Sequence, residues 1–203
     1  MTIVVKVKIC GLTRLCDIET VNKEMPDYVG FVFAESHRKV TSEQAMELRN
    51  KLRPEISAVG VFVDAEIEDI LYLTKKGTID MIQLHGTEDE DYILNLKSLT
   101  DKPIIKAVCV QHKGDAQKWN DTSADYLLLD HKSGGTGEAF DWDLIGEVGK
   151  PYFLAGGLNI ENVGTAINQI TPFAVDVSSG VEVGGFKDLA KIKEFIRRVR
   201  NGN

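Results

Sequence analysis

The chain has 203 residues, of which 43% are apolar and 27% charged, a balance that supports a packed core and rules out a disordered polymer. A formal charge of -7, from 24 basic and 31 acidic residues, argues against a protein whose main task is neutralising nucleic-acid phosphates, yet leaves room for a small anionic ligand. No apolar run approaches the roughly 18 residues that cross a bilayer, so the expectation is a water-soluble protein, one domain over residues 1–203, with neither nucleic acid nor membrane as partner.

The chain opens on alternating Val, Lys and Ile, with no apolar signal core, which makes the cytoplasm the expected compartment. Cys10, Cys16 and Cys109 are odd in number and form no paired framework, so they read as reduced thiols. No C-x-x-C occurs, and His37, His85, His112 and His131 are scattered singly. No structural metal is expected.

Eight short runs rich in branched apolar residues follow one another, at residues 4–9, 28–33, 58–63, 79–84, 103–108, 126–129, 152–155 and 173–177. Between several of them the apolar spacing turns helical: Ile67, Ile70, Leu71 and Thr74; Val163, Ala166, Ile167 and Ile170; Leu189, Ile192, Ile196 and Val199. Thr41 with Gln44 and Thr87 with Glu90 read as capping boxes, and Thr13 and Asn159 as N-caps. The stretches 111–122 and 141–149 are the weakest helices. Roughly 25 residues per strand-plus-helix unit fits the lower size range of a (β/α)8 TIM barrel. The competing doubly wound sheet seldom needs eight strands, and its G-x-G-x-x-G after the first strand is missing.

In such a barrel the chemistry gathers where strands end and βα loops begin. Two late loops read as a phosphate cradle: Gly156-Gly157 after the seventh strand and Ser178-Ser179-Gly180 after the eighth, where small residues let a ligand reach backbone N–H groups. One Gly-Gly alone would equally serve a tight corner; the matched pair of loops favours phosphate.

Alternation along the first strand puts Val5, Val7 and Ile9 toward the helices and Lys6, Lys8 and Cys10 into the barrel. Cys10 then stands at the mouth, as a ligand-facing thiol or as a small buried hydrophobe. Cys16 and Cys109 read as buried hydrophobes. A lysine aimed inward needs a partner. Asp176 shares the inward face of the eighth strand with Ser178, and strands one and eight become neighbours on closure, so a Lys8–Asp176 pair is predicted. Asp130 follows an apolar strand, where partial desolvation favours its protonated form, although it could also cap a loop. Across from Cys10 it becomes an acid facing a base. The loop Gly134-Gly135-Thr136-Gly137 reads as a lid over ligand or as an ordinary connection.

Taken together, Lys8-Ile9-Cys10-Gly11-Leu12-Thr13, Gly30-Phe31-Val32-Phe33 with Ser36 to Arg38, Gln83-Leu84-His85-Gly86, Leu128-Leu129-Asp130, Gly134-Gly135-Thr136-Gly137, Leu154-Ala155-Gly156-Gly157-Leu158 and Val175-Asp176-Val177-Ser178-Ser179-Gly180-Val181-Glu182 resemble the phosphoribosylanthranilate isomerase family, over essentially the whole chain. The resemblance implies an Amadori rearrangement of a phosphosugar, without cofactor. By the same resemblance Asp130 is the general acid, Cys10 the general base, and Arg38 the ligand of the anthranilate carboxylate. From residue types alone Arg38 would read as a solvated charge. Gln83, His85 and Asp176 are assigned to substrate binding, and a monomer is preferred to a homodimer. Lys39, after Arg38, and the residue after Gly184-Gly185 depart from the commoner family pattern. The alternatives are a related phosphosugar barrel enzyme, such as the histidine-pathway isomerase, and a non-catalytic phosphate-sensing barrel.

Overall fold

A computed structural model describes residues 4–131 and 141–201. Gly134, Gly135, Thr136 and Gly137, assigned above to a lid, lie outside the described residues. The elements run β1 (Lys6–Cys10), α1 (Leu15–Glu24), β2 (Tyr28–Val32), α2 (Ser42–Lys51), β3 (Ser57–Phe62), α3 (Ile67–Lys75), β4 (Met81–Leu84), α4 (Glu90–Leu99), β5 (Ile104–Cys109), β6 (Tyr126–Asp130), β7 (Tyr152–Leu154), α5 (Val163–Ile170), β8 (Ala174–Val177), β9 (Glu182–Val183), β10 (Phe186–Lys187) and α6 (Leu189–Asn201). Strands β1 to β8 pair in parallel, each with the next, and β8 pairs with β1 to close the barrel. All eight predicted strands are present, and so is the closure. Single 3-10 turns, Gln117–Trp119 and Trp142–Leu144, occupy the two stretches that read as weakest helices.

The period of two sorts side chains as the β1 alternation implied. Val5, Val7 and Ile9 pack with α1 and α6 residues such as Ile18, Val21, Ile192 and Ile196 in the outer core. Inside the barrel, Tyr28, Val59, Met81, Ile105, Leu128, Phe153 and Ala174 form a second, separate core. Its floor is aromatic: Phe153 meets Tyr28, Tyr126 and Phe173 at centroid distances of 5.4, 5.7 and 5.7 Å. Lys6 lays its ammonium 4.9 Å from the Phe173 ring centre and donates to the Tyr28 hydroxyl, so a cation ends in a polarisable setting. This packed floor leaves only the opposite end of the barrel for polar chemistry.

Helix starts were less legible. The Thr41–Gln44 capping box is present in full. Asp89, not Thr87, caps α4 by accepting from the Tyr92 N–H, because the Thr87 hydroxyl is engaged with Asp64. Arg14, not Thr13, is the N-cap of α1, in a box with Asp17, whose carboxylate also accepts from the Thr13 N–H. Asn159 accepts from the N–H groups of Glu161 and Asn162, closing the turn before α5, while Asn162 holds the cap position. At each of these three starts an acid or amide oxygen, of Asp17, Asp89 or Asn159, accepts the nearby N–H groups.

Candidate active site

At the C-terminal end of β1, Cys10 is buried and faces inward beside Lys8, two residues below it. The thiol occupies space vacated by its neighbour. Cys10 stands opposite Gly30 on β2, and a Cβ added to Gly30 would lie 2.6 Å from the Cys10 sulfur. Glycine at this point on β2 is therefore a steric requirement of the thiol.

Lys8 is fully buried and in register with Asp176 on β8. Its Nζ lies 3.0 Å from Asp176 Oδ2 and donates to Gln83 Oε1 at 2.8 Å. Burial alone would lower the Lys8 ammonium, but Asp176 and the Cys10 thiol outweigh it and hold its pKa above the ordinary value. The predicted pair is present. Asp176 Oδ1 is buried and has no hydrogen-bond partner among the described residues.

Burial, with the Asp176 charge beside it, pushes the Cys10 thiol above its ordinary value, and the positive charges of Lys8 and Lys187 offset part of that rise. Lys187 had not been singled out in the sequence. It comes from β10, its side chain 2% exposed, and donates to the Ser178 carbonyl at 2.9 Å, the Ser178 hydroxyl at 3.1 Å and Glu182 at 2.5 Å. The Ser178 hydroxyl in turn donates to the Cys10 carbonyl at 3.0 Å, tying the loop after β8 to the end of β1. The Ser178 side chain is thus engaged on both sides, with the Cys10 carbonyl and with Lys187.

Arg38 arrives from the loop after β2. That loop folds back on the strand through the Val40 N–H to the Val32 carbonyl, and Arg38 passes over Gly11, where a Cβ would fall 2.4 Å from the Arg38 Cδ. Gly11 has a φ of +82°, so side chains are disfavoured there twice over. The guanidinium is half-buried and forms a two-pronged bond with Glu182, 2.8 Å from Nε and 2.8 Å from Nη2. Arg38 is therefore not a solvated charge; Lys39 beside it pairs with Glu35 at the surface. The two bonds to Glu182 engage two of five guanidinium hydrogens and leave the others for a second acceptor.

On the facing side, Asp130 ends β6, half-buried, its Oδ1 accepting from the His131 N–H at 2.7 Å. In the order β1-β8-β7-β6 it lies three strands from Cys10 at the same end of the barrel. His85 follows β4, and Asp130 acts on its imidazole, so the two belong to one mouth. Gln83 lies beneath it, 1% exposed, its amide engaged with Lys8 and His85. Gln83 supports the mouth from below instead of lining it.

The two glycine loops meet. Gly156 and Gly157 adopt φ values of +80° and +65°, and a Cβ on Gly180 would lie 2.0 Å from the Leu158 carbonyl oxygen. No side chain fits at position 180 with the loops this close. Asn162 donates to the Gly157 carbonyl and fixes the turn. Ser179 and Gly180 are half-buried along the same rim.

Cys16 and Cys109 are exposed, against the expectation that they pack as small hydrophobes. Cys16 lies on the outer face of α1, and Cys109 at the inward-facing end of β5 contacts the His131 carbonyl. Among the described residues no helix is long and apolar enough to cross a membrane, and no three His, Cys, Asp or Glu side chains converge to hold a metal.

Residues 7–198 match the model of the N-(5'-phosphoribosyl)anthranilate (PRA) isomerase family. The chain is 47% identical over 200 residues to an N-(5'-phosphoribosyl)anthranilate isomerase of Endomicrobium trichonymphae, covering 97% of this chain and 98% of that protein. A relative of the same name from Caldanaerobacter subterraneus is 46% identical over 202 residues, with the same coverage. Among solved structures, phosphoribosyl anthranilate isomerase from Thermus thermophilus superimposes with a TM-score of 0.88 at 32% identity, over 98% of this chain and 100% of that one. A structure of the isomerase in complex with reduced 1-(o-carboxyphenylamino)-1-deoxyribulose 5-phosphate superimposes with a TM-score of 0.84 at 37% identity, over 97% and 99% of the two chains. With the closed barrel, the buried thiol and the paired glycine loops in place, the chain belongs to the N-(5'-phosphoribosyl)anthranilate isomerase family.

Proposed function

We propose that this chain catalyses the Amadori rearrangement of N-(5-phosphoribosyl)anthranilate to 1-(2-carboxyphenylamino)-1-deoxyribulose 5-phosphate, a step of tryptophan biosynthesis, as a single-domain cytoplasmic enzyme using its own side chains. The observation that carries the mechanism is the thiol of Cys10, given room by Gly30 and flanked by Lys8 and Lys187, at the same end of the barrel as the carboxyl of Asp130.

Asp130 protonates the ribose ring oxygen as the bond from C1 to that oxygen breaks, and the nitrogen lone pair forms a C1–N double bond. The product of this step is the open-chain Schiff base. Cys10, as thiolate, then removes the C2 proton; those electrons form the C1–C2 double bond and neutralise the iminium nitrogen. Tautomerisation of the enol amine returns a proton to C1 and leaves the ketone at C2. Each transfer needs its group in the right protonation state, a task the charges of Lys8 and Lys187 serve for the thiol.

Binding divides around these two groups. Arg38 takes the anthranilate carboxylate with the hydrogens that Glu182 leaves over. The N–H groups of Gly156, Gly157, Ser179 and Gly180, with the backbone at Ser178, take the phosphate. Asp176 Oδ1, a buried acceptor without a partner among the described residues, accepts from a ribose hydroxyl and so gains the bond whose absence costs about 1–3 kcal/mol. All these residues come from one chain, so a monomer suffices for turnover.

The test is the fluorescence loss of freshly made phosphoribosylanthranilate, followed with the parent, Cys10→Ser and Asp130→Asn. Losses of about 100- to 10,000-fold are expected for both, the usual worth of a positioned proton-transfer group. Near-parental turnover in either variant would remove that residue from the mechanism.

A further inference from the structure

A line of hydrogen bonds runs under the mouth from β8 to β4: Asp176 to Lys8 at 3.0 Å, Lys8 to Gln83 at 2.8 Å, and Gln83 to the Nδ1 of His85 at 2.8 Å. Its direction is fixed at one end. The Lys8 ammonium can only donate, so the Gln83 atom facing it is the carbonyl oxygen. The Gln83 atom facing His85 is then the amide nitrogen, which also only donates. Nδ1 must therefore present a lone pair, and a neutral His85 carries its hydrogen on Nε2.

From this polarity we infer that Gln83 is a positioning residue of the proposed isomerase reaction, which locks His85 as a neutral imidazole with its N–H at Nε2, turned away from Gln83 toward the Asp130 side of the mouth. The inference rests on the functional reading above. A cation at His85 would need a hydrogen on Nδ1, pointing at the Gln83 amide hydrogens. Four charged groups act on the ring: Asp130 from β6 and Asp176 from β8, Lys8 from β1 and Lys106 from β5. Burial, aided by the two lysines, holds the imidazole below its ordinary pKa against the pull of the two carboxylates. The neutral ring thus offers one donor to the charge that remains when Asp130 gives up its proton, and does so without moving.

Nitrogen-15 NMR of histidine-labelled protein, with the His85 signal identified by its loss in His85→Gln, reads the tautomer without any substrate. The parent should show the Nε2–H form and no titration between about pH 5.5 and 8.5, where an ordinary histidine changes charge. In Gln83→Glu the carboxylate still accepts from Lys8 but offers His85 an acceptor; the ring should then take a proton on Nδ1 and titrate at higher pH. Turnover at saturating substrate should fall about 10- to 100-fold, the worth of one hydrogen bond to a charged group, with little change in KM. Gln83→Leu, which adds no charge, should show a mixture of tautomers and a similar loss. An Nδ1–H signal in the parent, or a parental tautomer and kcat in both variants, overturns the inference. Absence of isomerase turnover in the parent would instead overturn the functional reading and leave the tautomer result standing.

Discussion

Gly30 is to Cys10 what a socket is to a pin: the two face each other across β1 and β2, and any Cβ on Gly30 would come within 2.6 Å of the sulfur. Gly30→Ala should therefore displace the thiol or splay the strands. Overpacking of this kind costs about 1–3 kcal/mol. Thermal melts should show a modest loss of stability, while kcat falls by a larger factor than that loss accounts for. Equal kcat in folded Gly30→Ala would show that the thiol's position is not critical.

Lys8→Met keeps the volume and removes the charge. Asp176 is then a buried carboxylate without its cation, a change that costs about 3–5 kcal/mol in known cases. Urea unfolding should report it. The same variant takes away one of two charges opposing the burial of Cys10, so the thiolate absorbance of Cys10 should appear at higher pH than in the parent.

Arg38→Ala should raise KM by a large factor and leave the melting temperature close to parental, because Glu182 keeps Lys187 as a partner. Glu182→Ala is the informative companion. It frees Arg38 and leaves Lys187 buried without its carboxylate, so here both stability and KM should suffer. A collapse of stability in Arg38→Ala would make that arginine a structural element.

The same clamp predicts a pH dependence. Burial pushes the Glu182 carboxyl up, but the bonds from Arg38 and Lys187 outweigh it and hold the group below its ordinary range. A carboxylate lowered in the folded state adds stability that is complete above its unfolded value, near 4.3, and is lost as pH falls through the folded value. Below about pH 4.5 the parent should therefore lose stability more steeply than Glu182→Gln, as denaturant titrations at several acidic pH values will show.

What could be read in the sequence was whatever repeats locally. Branched apolar runs gave the eight strands, and period two with closure placed Lys8 opposite Asp176. The helix starts were hidden because the N–H groups of Thr13, Thr87 and Asn159 are each taken by an acid or amide oxygen, of Asp17, Asp64 and Asn162, which shifts the cap to another residue. The clamp was hidden for a different reason. Arg38 and Glu182 are 144 residues apart, and no spacing rule joins a loop after β2 to a hairpin after β8. Glycine 30 likewise signals nothing until its strand is laid beside β1; a search for glycines in register with an inward cysteine would have found it.

The surroundings of the Cys10 sulfur draw on both extremes of the chain: Lys8 and the thiol from β1, Ser178 and Lys187 from beyond β8. During synthesis, an emerging polypeptide that has not yet delivered β8 and the hairpin after it holds Lys8 without Asp176 and the Cys10 sulfur without Lys187. The thiol therefore gains its full surroundings only once the hairpin after β8 has folded back toward β1, and a product truncated before β8 is left with an uncompensated lysine inside the barrel.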